Sequence, residues 1–334
     1  MQAEVRGDGP LEFRLPDPDR VYSRVRLDAG LGTAGVRPEL AWADGVWSVE
    51  VALPPLHRVE YGFEVTQTVL DPGNPARIDT GFGDRSVLEL PGYRPPAWLG
   101  REVAAGTTTA LASGVDGVTA ALWSPQDLPD DVEAPLVVVH DGPDYAERGL
   151  LTRYLTVLAA DRLPVRALLL TAHPRELLYA ASDEYAEALV THLIPSTKQR
   201  RATSASIAVG ASLGALAALH AQWRYPGTFA GLLLQSGSFF TPETDPQESG
   251  FARWGEVTGF VAEVLTESAA AALPPVAITC GAHEENALNN RLLVHRLREV
   301  GITVSHTELA DLHNFTCWRD ALDPALRELL AAAA

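Results

Sequence analysis

The sequence predicts an α/β fold, a mostly parallel sheet with helices on both faces, preceded by a small all-β unit. Three observations carry that prediction. From about residue 99 onward, short continuous apolar runs alternate with stretches of helical period. Residues 1–98 instead hold short alternating runs separated by turn signals. One apolar run, residues 206–209, passes through Gly210-Ala211-Ser212-Leu213-Gly214 directly into an Ala/Leu-rich helical pattern, as a sharp strand-to-helix turn does.

In the N-terminal stretch, residues 21–27 and 47–53 alternate apolar with polar, and Tyr61-Gly62-Phe63-Glu64-Val65 continues the pattern. Asp44-Gly45 and Asp71-Pro72-Gly73 mark turns between them. This spacing predicts a small β-sandwich. Residues 90–98 then carry Pro91, Gly92, Pro95 and Pro96, which suit a stiff linker. A domain boundary is expected there, dividing 1–98 from 99–334.

Beyond the linker, residues 118–125 are β-rich. Residues 135–140, 165–171, 207–209, 229–234 and 276–279 read as buried parallel strands. Helical patterns cover 183–194, 213–224 and 286–300. Sheets wound in this way bind ligands at the carboxyl ends of their strands, and Ser212 falls at such an end.

Composition narrows the function classes. The chain has 334 residues, 46% hydrophobic and 21% charged, enough for a packed interior. Its net charge of −17 disfavours nucleic acid and anionic membrane surfaces as partners, since both attract basic patches. No apolar run reaches the roughly 18 residues of a membrane span. Residues 1–9 show no secretory pattern, so a cytoplasmic location is expected. Two cysteines, Cys280 and Cys317, read as free thiols. No Cys/His cluster has metal-ligand spacing, so neither a metal nor a cofactor is expected.

The Gly-x-Ser-x-Gly segment makes Ser212 the candidate nucleophile. Glycines suit a strained turn where strand and helix backbones pass closely, and the first turn of the helix points unpaired N–H groups at charge developing beside the serine. A serine hydroxyl needs a base, and the base needs an acid to hold its tautomer. In hydrolases of this α/β type the chain order is serine, acid, histidine. Of the histidines after Ser212, His220 and His295 lie in helical patterns and His306 in a strand-like run, whereas His313 lies in a loop between a strand and a helix. His313 is the expected base. The acid should follow the strand ending near Cys280, where Gly281-Ala282-His283-Glu284-Glu285 offers two adjacent glutamates. Glu284 is preferred, with Glu285 then a solvated carboxylate near a helix N-terminus. His283 is expected in a solvated loop.

With these segments located, the chain resembles the enterochelin esterase family of α/β-hydrolases, which cleave the trilactone of catecholate siderophores. The likeness runs from about residue 40 to the end. It is carried by Gly210-Ala211-Ser212-Leu213-Gly214, by Gln235-Ser236-Gly237-Ser238-Phe239-Phe240, and by His313-Asn314-Phe315-Thr316-Cys317-Trp318-Arg319. Gly281-Ala282-His283-Glu284 is similar to the family's Gly-x-x-acid turn. Trp47, Tyr61-Gly62-Phe63 and Asp71-Pro72-Gly73-Asn74-Pro75 resemble its immunoglobulin-like N-terminal domain, which is itself similar to carbohydrate-binding modules.

The resemblance implies a serine ester hydrolase acting on a small-molecule ester: a siderophore trilactone or another aryl or sugar ester. It implies oxyanion donation from the Leu213 N–H and from the turn at Asp141-Gly142. There the family's usual second donor is replaced by Pro143, which has no N–H, so Gly142 or Asp144 would have to serve. Arg175 resembles a family arginine above the serine. It is expected either to receive an anionic substrate or to pair with Glu176 or Asp183. Tyr145 and Trp318 are expected either to line an aromatic pocket or to sit in the interior. A weakened hydrolase serving as a glycan- or protein-binding module and an acyltransferase are the competing readings. The oligomeric state stays open, a dimer being one option.

Overall fold

The computed structural model describes residues 9–30, 38–65, 68–81, 83–266 and 273–333. Residues 1–8, to which the expectation of no secretory pattern applies, lie outside them. The chain forms two compact units. One comprises Met1–Pro95 together with Gly281–Glu285 and Leu309–Asn314; the other comprises Pro96–Cys280, Asn286–Glu308 and Phe315–Ala334.

The first unit is built from β1 (Leu11–Pro16), β2 (Arg26–Asp28), β3 (Ala41–Ala43), β4 (Val46–Val51), β5 (Arg58–Glu64), β6 (Thr68–Val69), β7 (Arg77–Asp79) and β8 (Asp84–Glu89). They form two antiparallel sheets, β1-β4-β3 and β2-β5-β8-β7, with β6 on β5. Period-2 alternation explains their shared core. In β1, Leu11, Phe13 and Leu15 point inward while Glu12 and Arg14 face out. They meet Leu27, Trp47, Val59, Tyr61 and Phe63. The expected strand at residues 21–27 is cut to its last two residues. The Asp17 carboxylate takes the N–H groups of Val21 and Tyr22 at 2.7 and 3.0 Å, so those amides are spent on a side chain rather than a ladder.

The second unit carries β9 (Thr107–Leu111), β10 (Val118–Ser124), β11 (Ala134–His140), β12 (Arg166–Ala172), β13 (Thr203–Ala211), β14 (Gly231–Gln235), β15 (Val276–Gly281) and β16 (Val304–Leu309). The order across this mixed sheet is β16-β15-β14-β13-β11-β12-β10-β9. Strands β12, β11, β13, β14 and β15 run parallel, and β10 and β9 antiparallel. Its helices are α1 (Gly142–Glu147), α2 (Leu151–Ala160), α3 (Arg175–Leu178), α4 (Asp183–Ala188), α5 (Ile194–Lys198), α6 (Leu213–Arg224), α7 (Trp254–Thr266), α8 (Ala287–Glu299), α9 (Phe315–Asp320) and α10 (Leu322–Ala332). Strands β14 and β15 are buried along their whole length and β11 at every residue but Pro135, which is why they read as continuous apolar runs. The helix expected over 183–194 is instead interrupted by a π-turn at Leu189–Leu193 before α5. Pro195 has no N–H to continue the ladder, so the turn widens there. Cys280 and Cys317 are both buried, and no disulfide joins them.

His140, at the end of β11, and His220, in α6, are 0% and 2% exposed. Burial pushes both imidazoles down to about 4. In the unfolded chain each would titrate near ~6.5. Between those values the unfolded chain binds more protons, so these two groups leave stability intact above ~6.5 and withdraw it as pH falls toward 4. The melting temperature should therefore drop from pH 7 to pH 4.5, and His140→Gln should flatten that drop; calorimetric scans across this range check it.

Candidate active site

Ser212 sits where β13 hands over to α6. A Cβ placed on Gly210 would stand 2.3 Å from the carbonyl carbon and oxygen of Gly214, so only hydrogen fits. Ser212 itself has φ +55° and ψ −124°, a strained backbone for a residue with a side chain. Hydrogen bonds hold it there. Its N–H donates to the Gln235 carbonyl at 3.0 Å, and its carbonyl accepts from the N–H groups of Ala215, Leu216 and Ser238. Its hydroxyl lies 3.1 Å from that of Ser238. As the first residue of α6, Leu213 has an N–H with no acceptor inside the helix.

The segment after Ser212's neighbouring strand is a polar knot. The Gln235 amide nitrogen donates to Thr279 Oγ1 and to the Trp318 carbonyl at 2.9 and 3.0 Å. Asn290 grips both polar groups of the Gly237 backbone, accepting from its N–H and donating to its carbonyl. Asn286 donates to the Ser236 carbonyl at 3.0 Å. Tyr145 and Trp318 belong to this knot. Tyr145 is 0% exposed and its hydroxyl donates to Gln235 Oε1 at 2.9 Å. Trp318 donates through Nε1 to Ser236 Oγ at 2.8 Å. Both rings pack on Phe315.

At the end of β11, Asp141 adopts the left-handed conformation, φ +54° and ψ +40°, and α1 starts behind it. The N–H groups of Gly142 and Asp144 fall in the first turn, where no intrahelical acceptor exists, and Pro143 stands between them. Arg175 grips the Asp141 carboxylate through Nε and Nη2, at 2.8 to 3.0 Å. Burial disfavours the guanidinium cation, but the adjacent Asp141 charge and its hydrogen bonds outweigh that cost and hold the pKa above its ordinary value. The pairing partner is thus neither Glu176 nor Asp183; Asp183 bonds Arg224 instead. The Arg175 side chain remains 37% exposed.

The first unit carries the other polar group. Glu284, in the turn after β15, is fully buried at its side chain. Its Oε2 accepts from the Gly281 N–H at 3.0 Å, and its Oε1 lies 3.1 Å from His313 Nδ1. Glu285 is farther, 3.8 Å from the same nitrogen, with its side chain 38% exposed. A carboxylate on Nδ1 fixes the proton there and makes Nε2 the basic nitrogen. His283 lies in the same turn, its N–H directed at the Asp311 carbonyl. His220, His295 and His306 lie in α6, α8 and β16.

Two features escaped the sequence reading. Ser238 carries no assigned role in Gln235-Ser236-Gly237-Ser238, and the signal that points to it is a polar run at the end of a buried strand. The Asp141–Arg175 pair spans 34 residues, and nothing in local spacing announces it. Among the described residues, no group of three or more His, Cys, Asp and Glu could hold a metal ion, and no helix is long and apolar enough to cross a membrane.

Residues 116–329 match the family model named Esterase. No curated protein matches the sequence. Among solved structures, a ferric enterobactin esterase from Salmonella typhimurium is similar at TM-score 0.76 and 21% identity, over 99% of this chain and 95% of that one. An enterobactin esterase from Shigella flexneri, solved with 2,3-dihydroxy-N-benzoyl-glycine, gives TM-score 0.74 at 19% identity, with the same coverage. An S-formylglutathione hydrolase from Staphylococcus aureus gives 0.52 at 14%, over 69% of this chain and 98% of that one.

The crossing at Gly210 makes a direct prediction. Gly210→Ala must push β13 and α6 apart, at a cost of about 1–3 kcal/mol or more, because the clashing atoms are backbone and cannot swing away. Urea denaturation against the unaltered protein measures the loss.

Proposed function

The chain belongs to the Esterase family and is an ester hydrolase, and from that premise we propose that Ser212, His313 and Glu284 form its catalytic triad. The strained backbone of Ser212 between two glycines is the observation that carries this reading. The His313–Glu284 pair supports it, since a buried carboxylate on Nδ1 is what a general base requires.

Ser212 Oγ attacks the ester carbonyl carbon while its proton passes to His313 Nε2. The tetrahedral oxyanion takes the Leu213 N–H, with Gly142 or Asp144 as second donor in place of Pro143. Collapse expels the alcohol, which carries off the proton held by His313, and leaves an acyl-enzyme. Water, deprotonated by the same imidazole, attacks the acyl carbon and releases the acid and the serine hydroxyl. Glu284 holds the imidazole's tautomer and stabilises its cation throughout. No cofactor enters these steps.

The substrate proposed is a small aryl ester, a catecholate trilactone among them. The names of the similar solved enzymes support it, as does Arg175, whose side chain is partly exposed and carries a cation that suits an anionic acyl group. Tyr145 and Trp318 would form the wall behind that group rather than its aromatic clasp, being buried and hydrogen-bonded. The N-terminal unit, two antiparallel sheets on one core, is proposed to be immunoglobulin-like.

Pro143 favours a second reading, a ligand-binding protein with a weakened oxyanion site. Hydrolysis of p-nitrophenyl esters and of a cyclic catecholate trilactone separates the two. Ser212→Ala and His313→Gln should each lower kcat on the order of 10³-fold or more. Glu284→Gln should lose on the order of 10²-fold or more, with Glu285→Gln within about twofold of the parent. A parent protein no faster than Ser212→Ala on every ester, and unlabelled by a fluorophosphonate, would establish the binding reading instead.

A further inference from the structure

We propose that Arg58, on β5, is a positioning residue for His313, acting through an ion pair with Asp311. The inference rests on the reading of His313 as the general base.

Arg58 and Asp311 are 253 positions apart in sequence, and their side chains are 2% and 1% exposed. Arg58 Nη2 donates to Asp311 Oδ2. The guanidinium also lies over the Tyr93 ring, 5.0 Å from its centroid, and its Nε is 3.8 Å from Glu60. The second oxygen of Asp311 faces its own loop. It accepts from the Leu312 N–H at 2.8 Å and from Asn314 Nδ2 at 3.1 Å, so one carboxylate ties down the residues on both sides of His313.

Further bonds fix the same loop to the same unit. The His57 N–H, next to Arg58, donates to the Ala310 carbonyl at 2.5 Å. Leu312 is 5% exposed and belongs to the apolar core of the N-terminal sheets. The Ala282 N–H donates to the Leu309 carbonyl at 2.7 Å, which joins the histidine loop to the turn that carries Glu284. A buried ion pair is weak evidence for stability, because its desolvation offsets its attraction. What this pair does supply is direction. The Nη2–Oδ2 bond fixes the Asp311 carboxylate, and its other oxygen passes that orientation to the Leu312 backbone and the Asn314 side chain on either side of the imidazole. Its use is therefore read in the orientation of His313.

The test is a series in the full-length protein: Arg58→Met, Arg58→Lys and Asp311→Asn, with His313→Gln as control, assayed on a p-nitrophenyl ester with folding followed by circular dichroism. Arg58→Met should lower kcat about tenfold or more with KM within about twofold, since substrate affinity does not depend on the tilt of the imidazole. Arg58→Lys should recover part of the kcat lost in Arg58→Met by keeping a cation against the Asp311 carboxylate, and stay below the parent because an ammonium does not reproduce the guanidinium's stacking on Tyr93. A folded Arg58→Met with parental kcat, or a loss confined to KM, overturns the proposal. Should Arg58→Met not fold, near-isosteric Asp311→Asn is read by the same criteria, and failure of both to fold assigns the pair a purely structural role. His313→Gln with full activity would instead overturn the triad, whatever the Arg58 variants do.

Discussion

The tightest constraint in this protein is a backbone crossing. Where β13 passes into α6, Gly210 and Gly214 approach so closely that no side chain fits between them. Everything at the Ser212 turn follows from that approach. The chain can reverse only if the residue between the glycines takes a positive φ, and that residue is Ser212. Its hydroxyl is thereby lifted out of the strand, and the first N–H of α6 is brought beside it. A turn of this kind is costly alone. It persists because the strand is buried among parallel neighbours and because the Ser212 backbone is bonded to Gln235 and Ser238.

Holding a strained turn requires rigid support, and here the support is polar. Gln235, Thr279, Asn286 and Asn290 are buried, and each finds partners in the segment 235–238 or in the elements that fix it. Buried amides are tolerable only when satisfied, and a satisfied network admits one arrangement of its members where an apolar interior admits several. Asp141 and Arg175 extend the same principle to the turn after β11. A carboxylate at a left-handed position is gripped by a two-pronged cation, which sets the start of α1.

The histidine loop is governed by a different kind of contact. Leu309–Asn314 lies in sequence among the last elements of the α/β unit, yet it packs with the N-terminal sheets. Leu312 contributes to their apolar core, which by area transfer is worth about 2 kcal/mol, and Asp311 meets a buried arginine from β5. Removing either member of that pair takes the nearest counter-charge from a buried ion, a loss of about 3–5 kcal/mol in comparable pairs. The segment thus depends on residues about 250 positions earlier for its conformation.

How much of this is legible without coordinates differs by element. The sequence by itself determined the central strands, α6 and α8, because a strand buried on both faces and an amphipathic helix have apolar periods that local reading detects. It also determined that Ser212 stands at a strand-to-helix turn, because only glycine can flank such a crossing, and that His313 stands in a loop. Local reading is weaker where a side chain or a ring alters the backbone: Asp17 diverts residues 21–22 from a ladder, and Pro195 opens a π-turn in an otherwise helical pattern. Only the tertiary structure decided which groups meet. That Glu284 rather than Glu285 hydrogen-bonds His313, that Arg175 is held by Asp141, and that Arg58 holds Asp311 are outcomes of chain segments converging from far apart. Periodicity records which face of an element is buried, but the identity of a polar partner depends on distances that no local pattern encodes.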